Sequence, residues 1–194
     1  MDVAKNHWEP NVWKGALAGL VAGLLASWVM DRFQDVWLGL SSNDGSTKKE
    51  TSSEHALQPS NLKALQSLDQ TGHVDTGSED NATVKAASAV SESVFDHKLT
   101  PEEKTIAGSA VHYAVGATSG IVYGVTAELL PEVTAGAGLP YGTAFWLMVD
   151  EGMVPLLGLS KAPNAYPVST HIYAFASHLV FGATAEGVRR LLRG

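Results

Sequence analysis

The chain has 194 residues, of which 45% are apolar, and a formal net charge of −7. It contains no cysteine, which excludes disulfides, thiolate metal sites and a catalytic thiol. The acidic balance disfavours nucleic acid as a partner. The mean hydropathy of +0.03 averages four apolar stretches with one long polar segment, so the composition predicts a single compact helical domain.

The first apolar stretch follows a polar lead at 1–12 and is predicted to cross a membrane as helix 13–32. Glycines recur in it at every fourth residue, a spacing that lets another helix approach closely in lipid. These glycines are Gly15, Gly19 and Gly23.

The segment 33–104 is rich in Ser, Thr, Asp, Glu and Asn, so it is predicted to be a polar, largely disordered loop. Weak helical patterns at Leu62–Leu68 and Val84–Val94 leave short surface helices open as an alternative.

A capping box predicts the start of the next helix. Thr100 can accept from the backbone of Glu103, whose side chain can return to Thr100, and Pro101 suits the first helical turn. The transmembrane part is predicted at 105–130, where Glu128 is the only formally charged residue after Lys104. Three glycines at fourfold spacing form a second ridge of small residues: Gly116, Gly120 and Gly124.

Two further membrane helices are predicted at 139–159 and 170–192. The first contains the adjacent acids Asp150 and Glu151, and these two side chains cannot both point the same way. The expected fold class is an all-α membrane protein with four transmembrane helices and a long polar loop between helices 1 and 2.

An internal repeat predicts that these helices form two tandem hairpins. A shift of 119 residues places Asp31 on Asp150, and a shift of 66 places His112 on His178 within the shared pattern His-x-x-x-Gly-Ala-Thr. Two hairpins of the same topology would be related by an axis along the membrane normal.

Ionisable side chains within membrane helices usually face a bundle interior or a wet cavity. His112 and Tyr123 are eleven residues apart and share a helix face. The two Asp/His pairs are expected near the loop side of the bilayer, and Glu128 and Glu186 toward the opposite side. The predicted polar intramembrane site comprises His112, His178, Asp31, Asp150, Tyr123, Glu128 and Glu186. Two interpretations stay open: a proton or small-solute conduit, and hydrogen bonds that hold the bundle together.

Two histidines at matched depth also allow a bis-His haem site, with the glycines four residues further on giving room for the macrocycle. No cofactor is otherwise expected. A metal site formed by His112, His178 and an acid is a less favoured alternative, because no ligand pair has helical i, i+4 spacing. His171 and His178 lie two turns apart, about 10.5 Å, too far to bind one ion. The sequence has no phosphate loop, nucleophile elbow or HExxH motif, so catalytic residues and an enzymatic activity are not expected.

Motifs within Thr105–Arg190 resemble the YagU-like family of small bacterial inner-membrane proteins, whose biochemical function is unknown. The motifs are His112 with Tyr123, Ala127-Glu128, Pro131, Pro155-Leu-Leu-Gly158-Leu159, Ser177-His178-Leu179-Val180, Glu186 and Arg189-Arg190. The resemblance implies a multi-pass inner-membrane protein linked to acid tolerance or membrane stress, and it supplies no catalytic residues.

The distribution of basic residues predicts both termini on the cytoplasmic side of the inner membrane. Lys5 and Lys14 flank the start, and Arg189, Arg190 and Arg193 lie near the end, although Arg32 and Lys161 favour the opposite orientation. The expected partners are the lipid bilayer and, through the glycine-rich faces, a second copy of the chain.

Overall fold

The computed structural model describes residues 11–46 and 80–193, with side chains described for 11–41 and 80–193, and those ranges contain helices and no strand. The helices are α1 (Val12–Ser46), α2 (Ala82–Phe95), α3 (Pro101–Leu129), α4 (Leu139–Met148) and α5 (Val168–Arg193). A π-helical turn (Val149–Met153) and a short helix (Val154–Leu156) continue α4, and 3-10 turns lie at Pro131–Thr134 and Pro163–Ala165.

The predicted capping box starts α3. Thr100 Oγ1 accepts from the backbone N–H of Glu103, and Glu103 Oε2 accepts from the backbone N–H of Thr100 at 2.8 Å. The Thr100 backbone and then His97 stabilise the charged form, which lowers the pKa of Glu103 below its usual range. The Asn81 side chain caps α2 by accepting a hydrogen bond from the backbone N–H of Val84. α2 packs against the beginning of α3.

The two glycine ridges lie against each other, in antiparallel register. A Cβ added at Gly120 would lie 2.6 Å from the Gly23 Cα, and one at Gly124 would lie 2.9 Å from the Gly19 Cα. Glycine is required along this contact because no side chain fits between backbones at that distance. The faces expected to serve a second copy are therefore occupied within the chain.

Helix α5 packs against both α1 and α4. Its contact with α4 also uses glycine, since a Cβ at Gly182 would lie 2.9 Å from the Gly142 Cα. The left-handed Gly138 (φ 81°) precedes α4 and also lies against Gly182. α1 therefore stands between α3 and α5, while α4 contacts α5.

Two helices differ in extent from the predicted membrane segments. α1 runs beyond the segment 13–32 to Ser46, and its buried face persists through Gln34 (2% exposed) and Trp37, whose ring lies 6.1 Å from that of Tyr173. The predicted helix 139–159 is instead broken into α4, the π-helical turn and Val154–Leu156. Pro155 has no N–H to donate to a preceding carbonyl, which accounts for the disrupted register.

The polar segment 33–104 is also more helical than predicted. It includes the end of α1 and all of α2, which matches the helical alternative at Val84–Val94. The pattern at Leu62–Leu68 lies outside the described residues.

All four predicted membrane segments contain helix, but they differ in hydropathy. Among the described residues, one helical stretch, Val12–Ser41, is long and apolar enough to cross a membrane, with a hydropathy of 1.5.

Candidate functional site

His112 and Asp31 meet at the contact between α3 and α1. His112 Nε2 lies 3.0 Å from Asp31 Oδ1, and both side chains are 6% exposed. The second oxygen of Asp31 accepts a 2.8 Å hydrogen bond from the Tyr113 hydroxyl. Two adjacent residues of α3 therefore hold one carboxylate of α1.

His178 and Asp150 meet in the equivalent place between α5 and the π-helical turn. His178 Nδ1 lies 2.8 Å from the carbonyl of Ala174 and 3.6 Å from Asp150 Oδ2. Asp150 is also close enough to interact electrostatically with His112. We call Asp31, His112, Tyr113, Asp150 and His178 the His–Asp cluster.

The glycine contacts explain why these side chains meet. Gly116 follows His112 by four residues and Gly182 follows His178 by four, so each histidine lies one turn from a close helix crossing. Asp31 and Asp150 follow Gly23 and Gly142 by eight residues each, on the same face of their helices. Because the helix backbones are nearly in contact at these glycines, side chains one or two turns away come within hydrogen-bonding distance of each other.

The two predicted glutamates belong to a second cluster toward the other end of the bundle. Glu128 accepts from Arg193 at 2.6 and 2.8 Å and from the backbone N–H of Asn11 at 3.1 Å. Asn11 and Arg193 lie at the two ends of the described chain, and Glu128 joins them. About 24 Å of helix separates His112 from Glu128 along α3.

Glu186 accepts four hydrogen bonds although it is only 1% exposed. Arg189 donates two of them, at 2.7 and 3.0 Å, and Arg190 and the Tyr123 hydroxyl donate one each, at 2.6 and 2.9 Å. We call Glu128, Glu186, Arg189, Arg190, Arg193 and Tyr123 the Glu–Arg cluster. Tyr123, which was predicted to share a helix face with His112, bonds to this second cluster.

An aromatic layer separates the two clusters. The ring of Phe145 lies 5.3 Å from His178, 5.2 Å from Phe181 and 6.3 Å from Tyr141, which in turn lies 4.3 Å from Tyr123. Met30 and three alanines of α1 and α5 complete this packed core: Ala22, Ala26 and Ala185. The predicted polar site is therefore divided in two.

The adjacent acids Asp150 and Glu151 have different partners, as their opposite directions on the helix predicted. Glu151 Oε1 lies 2.6 Å from His171 Nδ1, while His171 Nε2 lies 3.0 Å from the carbonyl of Pro163. Both ring nitrogens of His171 therefore face oxygen atoms. This contact links the π-helical turn, the 3-10 turn and the start of α5.

The sequence did not indicate the roles of Tyr113, the arginines or His171. Tyr113 belongs to no motif in the sequence, and the arginines were interpreted as topology signals and as part of the family resemblance. Their spacing from Glu186 at i+3 and i+4 was the available signal for two of them. Within the described ranges, no group of three His, Asp or Glu side chains is placed to hold a metal ion.

Together these features describe a small all-helical protein with ionisable side chains buried inside a bundle. The chain belongs to the family described as Protein of unknown function (DUF1440), whose model matches residues 85–187. This match confirms the resemblance to the YagU-like family, because the YagU-like family is a DUF1440 family of small membrane proteins. No curated protein and no solved structure matches the chain.

Proposed function

We propose that this chain is a multi-pass protein of the bacterial inner membrane, in which the His–Asp cluster binds and releases protons as part of a non-catalytic role in acid tolerance or membrane stress. Ionisable side chains are buried inside the bundle and large apolar side chains lie on its surface, and this combination is the observation that carries the proposal. Glu186 and Glu128 are 1% and 2% exposed, whereas Trp28 and Val122 are 53% and 55% exposed. Buried ionisable groups and extensive exposed apolar surface are both uncommon in a protein folded in water.

Apolar side chains lie on the surface of every helix that the proposal places in the bilayer. They include Leu25 and Val36 on α1, Val115 and Val122 on α3, Leu147 and Met148 on α4, and Ile172 on α5. In lipid these side chains cost nothing to expose, while charged groups face the interior of the bundle. These apolar surfaces support membrane crossing by α3, α4 and α5, although the mean hydropathy of these helices is too low to indicate it.

Histidine supports the proton-binding part of the proposal, because its unperturbed pKa of about 6.5 allows its charge to change within the physiological range. His112 faces Asp31, and His178 faces Asp150, so gain or loss of a proton alters two contacts between helices. A pH change would then act on the packing of α1 with α3 and of the π-helical turn with α5.

A proton or small-solute conduit is the second candidate, because ionisable groups lie toward both ends of the bundle. The aromatic layer around Phe145 and Phe181 interrupts the path between them, which favours a proton-responsive bundle over a conduit. The space that a haem would need beside the two histidines is also limited. The space beside Gly116 and Gly182 is filled by Ser27 and by the backbone of Gly142.

Cysteine labelling tests the membrane location, and the chain offers a matched pair of positions without native cysteine. Val90 on α2 and Val122 on α3 are 54% and 55% exposed. In membrane fragments open on both sides, we expect a membrane-impermeant maleimide to label Val90→Cys and to label Val122→Cys only after denaturation in detergent. Equal labelling of both variants in intact fragments would contradict the proposal.

Proton binding is tested by the pH dependence of thermal stability in detergent, between pH 5 and pH 8. We expect the wild type to change its melting temperature across this range and the double variant His112→Ala/His178→Ala to lose most of that change. Proteoliposomes with an imposed pH gradient test the conduit. Wild-type proton flux abolished by either single substitution would establish the conduit instead.

The basic residues near the end of α5 predict how the protein is oriented in the membrane. We expect a reporter fused after Gly194 to give a cytoplasmic signal and one placed in the polar loop to give a periplasmic signal. A cytoplasmic signal from the loop would reverse the orientation.

A further inference from the structure

A cavity of ≈110 Å³ lies beside the His–Asp cluster, and Asp150 and His178 both line it. Asp150 is the most accessible of the acids and histidines in the cluster. Its side chain is 19% exposed, compared with 6% for Asp31 and His112 and 4% for His178. The cavity therefore gives water an approach to the cluster at Asp150.

The lining of this cavity contains acidic, basic and neutral polar side chains. Besides Asp150 and His178, its ionisable residues are Asp80, Lys85, Glu151, Lys161 and His171. Because charges of both signs are present, the lining selects neither a cation nor an anion. A polar cavity needs about 10–15 Å³ to hold one water molecule, so ≈110 Å³ accommodates several.

The beginning of α2 forms one wall of the cavity. This wall consists of Asp80, Asn81, Ala82 and Lys85. The other walls belong to α1, the chain from the π-helical turn to Tyr166, and the start of α5. In the described ranges, the close backbone contacts at glycine join α1 to α3 and α4 to α5, and they do not include α2.

Helix α2 is held mainly by its packing on α3. A Cβ added at Gly108 would lie 2.7 Å from Val84 Cγ2, so the absence of a side chain at Gly108 makes room for Val84. Lys104 Nζ lies 2.6 Å from Asp80 Oδ2, in a pair whose side chains are 32% and 38% exposed. Val84 and Ala87 are the apolar side chains that α2 buries. A segment with so few buried apolar contacts opens at a lower free energy than the core does.

The connection between α2 and α3 has the features of a hinge. Asp96 ends α2 in the left-handed conformation, with φ 50°, and residues 97–100 are irregular. Residues at the ends of helices can absorb the backbone changes of a hinge motion. The contacts of His97 with Ser91 and Glu103 lie at this end of α2, away from the cavity.

We propose that this cavity is the passage through which water and protons reach the His–Asp cluster, and that α2 is a lid whose movement on α3 controls access. Asp150 is the first member of the cluster that water meets. The passage ends at His178, because Phe145, whose ring lies 5.3 Å from that histidine, does not line the cavity. This inference rests on the proposed function and adds a route and its control.

Cysteine accessibility tests the passage, because the native chain has no cysteine. Ala174 lines the cavity, whereas Ala185 lies eleven residues further along the same face of α5, in the packed core. In membrane fragments open on both sides, we expect a membrane-impermeant methanethiosulfonate to modify Ala174→Cys and to leave Ala185→Cys unmodified over the same time. Both variants are compared after each is shown to melt as the wild type does.

Two substitutions test the lid in the Ala174→Cys background. Lys104→Glu replaces the ion pair with Asp80 by two acids, and Gly108→Ala places a methyl group where Val84 packs. We expect both to speed the modification, by about threefold for Lys104→Glu, which is the scale of a partly exposed ion pair. Lys98→Glu is the matched control, because it makes the same charge change at an exposed residue between the two helices, and it should leave the rate unchanged.

The passage would be overturned if Ala174→Cys stayed unmodified in the folded protein, or if folded Ala185→Cys reacted equally fast. The lid would be overturned by a rate that neither Lys104→Glu nor Gly108→Ala changes. Modification without pH-dependent stability would retain the passage for water and remove the proton-binding proposal. The reverse result, pH-dependent stability without modification, would remove the passage alone.

Discussion

Asp31 joins His112 and Tyr113 of α3 to α1, whereas the Asp150 contact with His178 is 0.6 Å longer than the 3.0 Å contact of Asp31 with His112. His178 also bonds to the carbonyl of Ala174 in its own helix. The two histidines hold equivalent places in the sequence pattern but do not contribute equally to contacts between helices.

We therefore expect His112→Ala to destabilise the protein more than His178→Ala does. Loss of the His112 contact should lower the free energy of unfolding by about 1–2 kcal/mol, the range for polar contacts between membrane helices. Thermal unfolding in detergent at fixed pH measures the difference. Equal losses would show that the two contacts are equivalent despite their different geometry.

A cross-link tests whether the two histidines share one site. We expect His112→Cys and His178→Cys, combined in this cysteine-free chain, to react with a short bifunctional maleimide. Direct disulfide formation requires Cα atoms within about 7 Å, so spacers of increasing length report the separation. Failure at every spacer length in a folded variant would divide the His–Asp cluster into two separate contacts.

Glu186→Gln should be among the most destabilising single substitutions in the bundle. It removes the charge that Arg189 and Arg190 face, and breaking a buried ion pair from one side costs about 3–5 kcal/mol. Tyr123→Phe removes one neutral donor and should cost about 1–3 kcal/mol. Chemical denaturation of both variants measures the difference.

Glu132→Gln is the matched control for Glu186→Gln, because Glu132 is exposed in the 3-10 turn after α3. We expect its unfolding curve to coincide with that of the wild type. If Glu186→Gln were also neutral, the Glu–Arg cluster would not hold the bundle together.

Gly120→Ala should disrupt the contact between α1 and α3. The added Cβ would lie 2.6 Å from the Gly23 Cα, so the helices must separate, at a cost of about 1–3 kcal/mol. Gly187→Ala is the control on α5, where a Cβ meets no atom within 4 Å. Because alanine favours helix, that variant should be neutral or up to about 1 kcal/mol more stable.

The backbone amides at the start of α3 should become less protected from hydrogen exchange at acid pH. The pKa of Glu103 is lowered in the folded chain, so its stabilising effect is present above the usual carboxyl pKa of 4.5 and is lost as pH falls through the lower folded value. Hydrogen exchange at the Glu103 and Lys104 amides, corrected for intrinsic rates, should show faster opening below pH 4.5. Glu103→Gln should remove this dependence, whereas Glu102→Gln outside the capping box should retain it.

The capping box, the four apolar helical segments and the glycine ridges could be predicted from the sequence, because each depends on residues within a few turns of one another. Thr100 with Glu103 is a local pattern, and glycines at fourfold spacing define a helix face whatever that face contacts. His112 and Asp31 could be selected as site residues for the same reason, because a polar residue within an apolar segment is a local feature of the sequence.

Only the tertiary structure decided which partners these residues have. Tyr123 shares a helix face with His112, but it lies three turns away and reaches Glu186 of α5 instead. Trp37 at the end of α1 packs against Tyr173 of α5, a contact that no window of local hydropathy contains. The aromatic layer between the two polar clusters has the same cause, since Phe145 and Phe181 come together only when α4 packs on α5. Sequence spacing determined the faces of the helices, and the close approach of their glycines determined which faces meet.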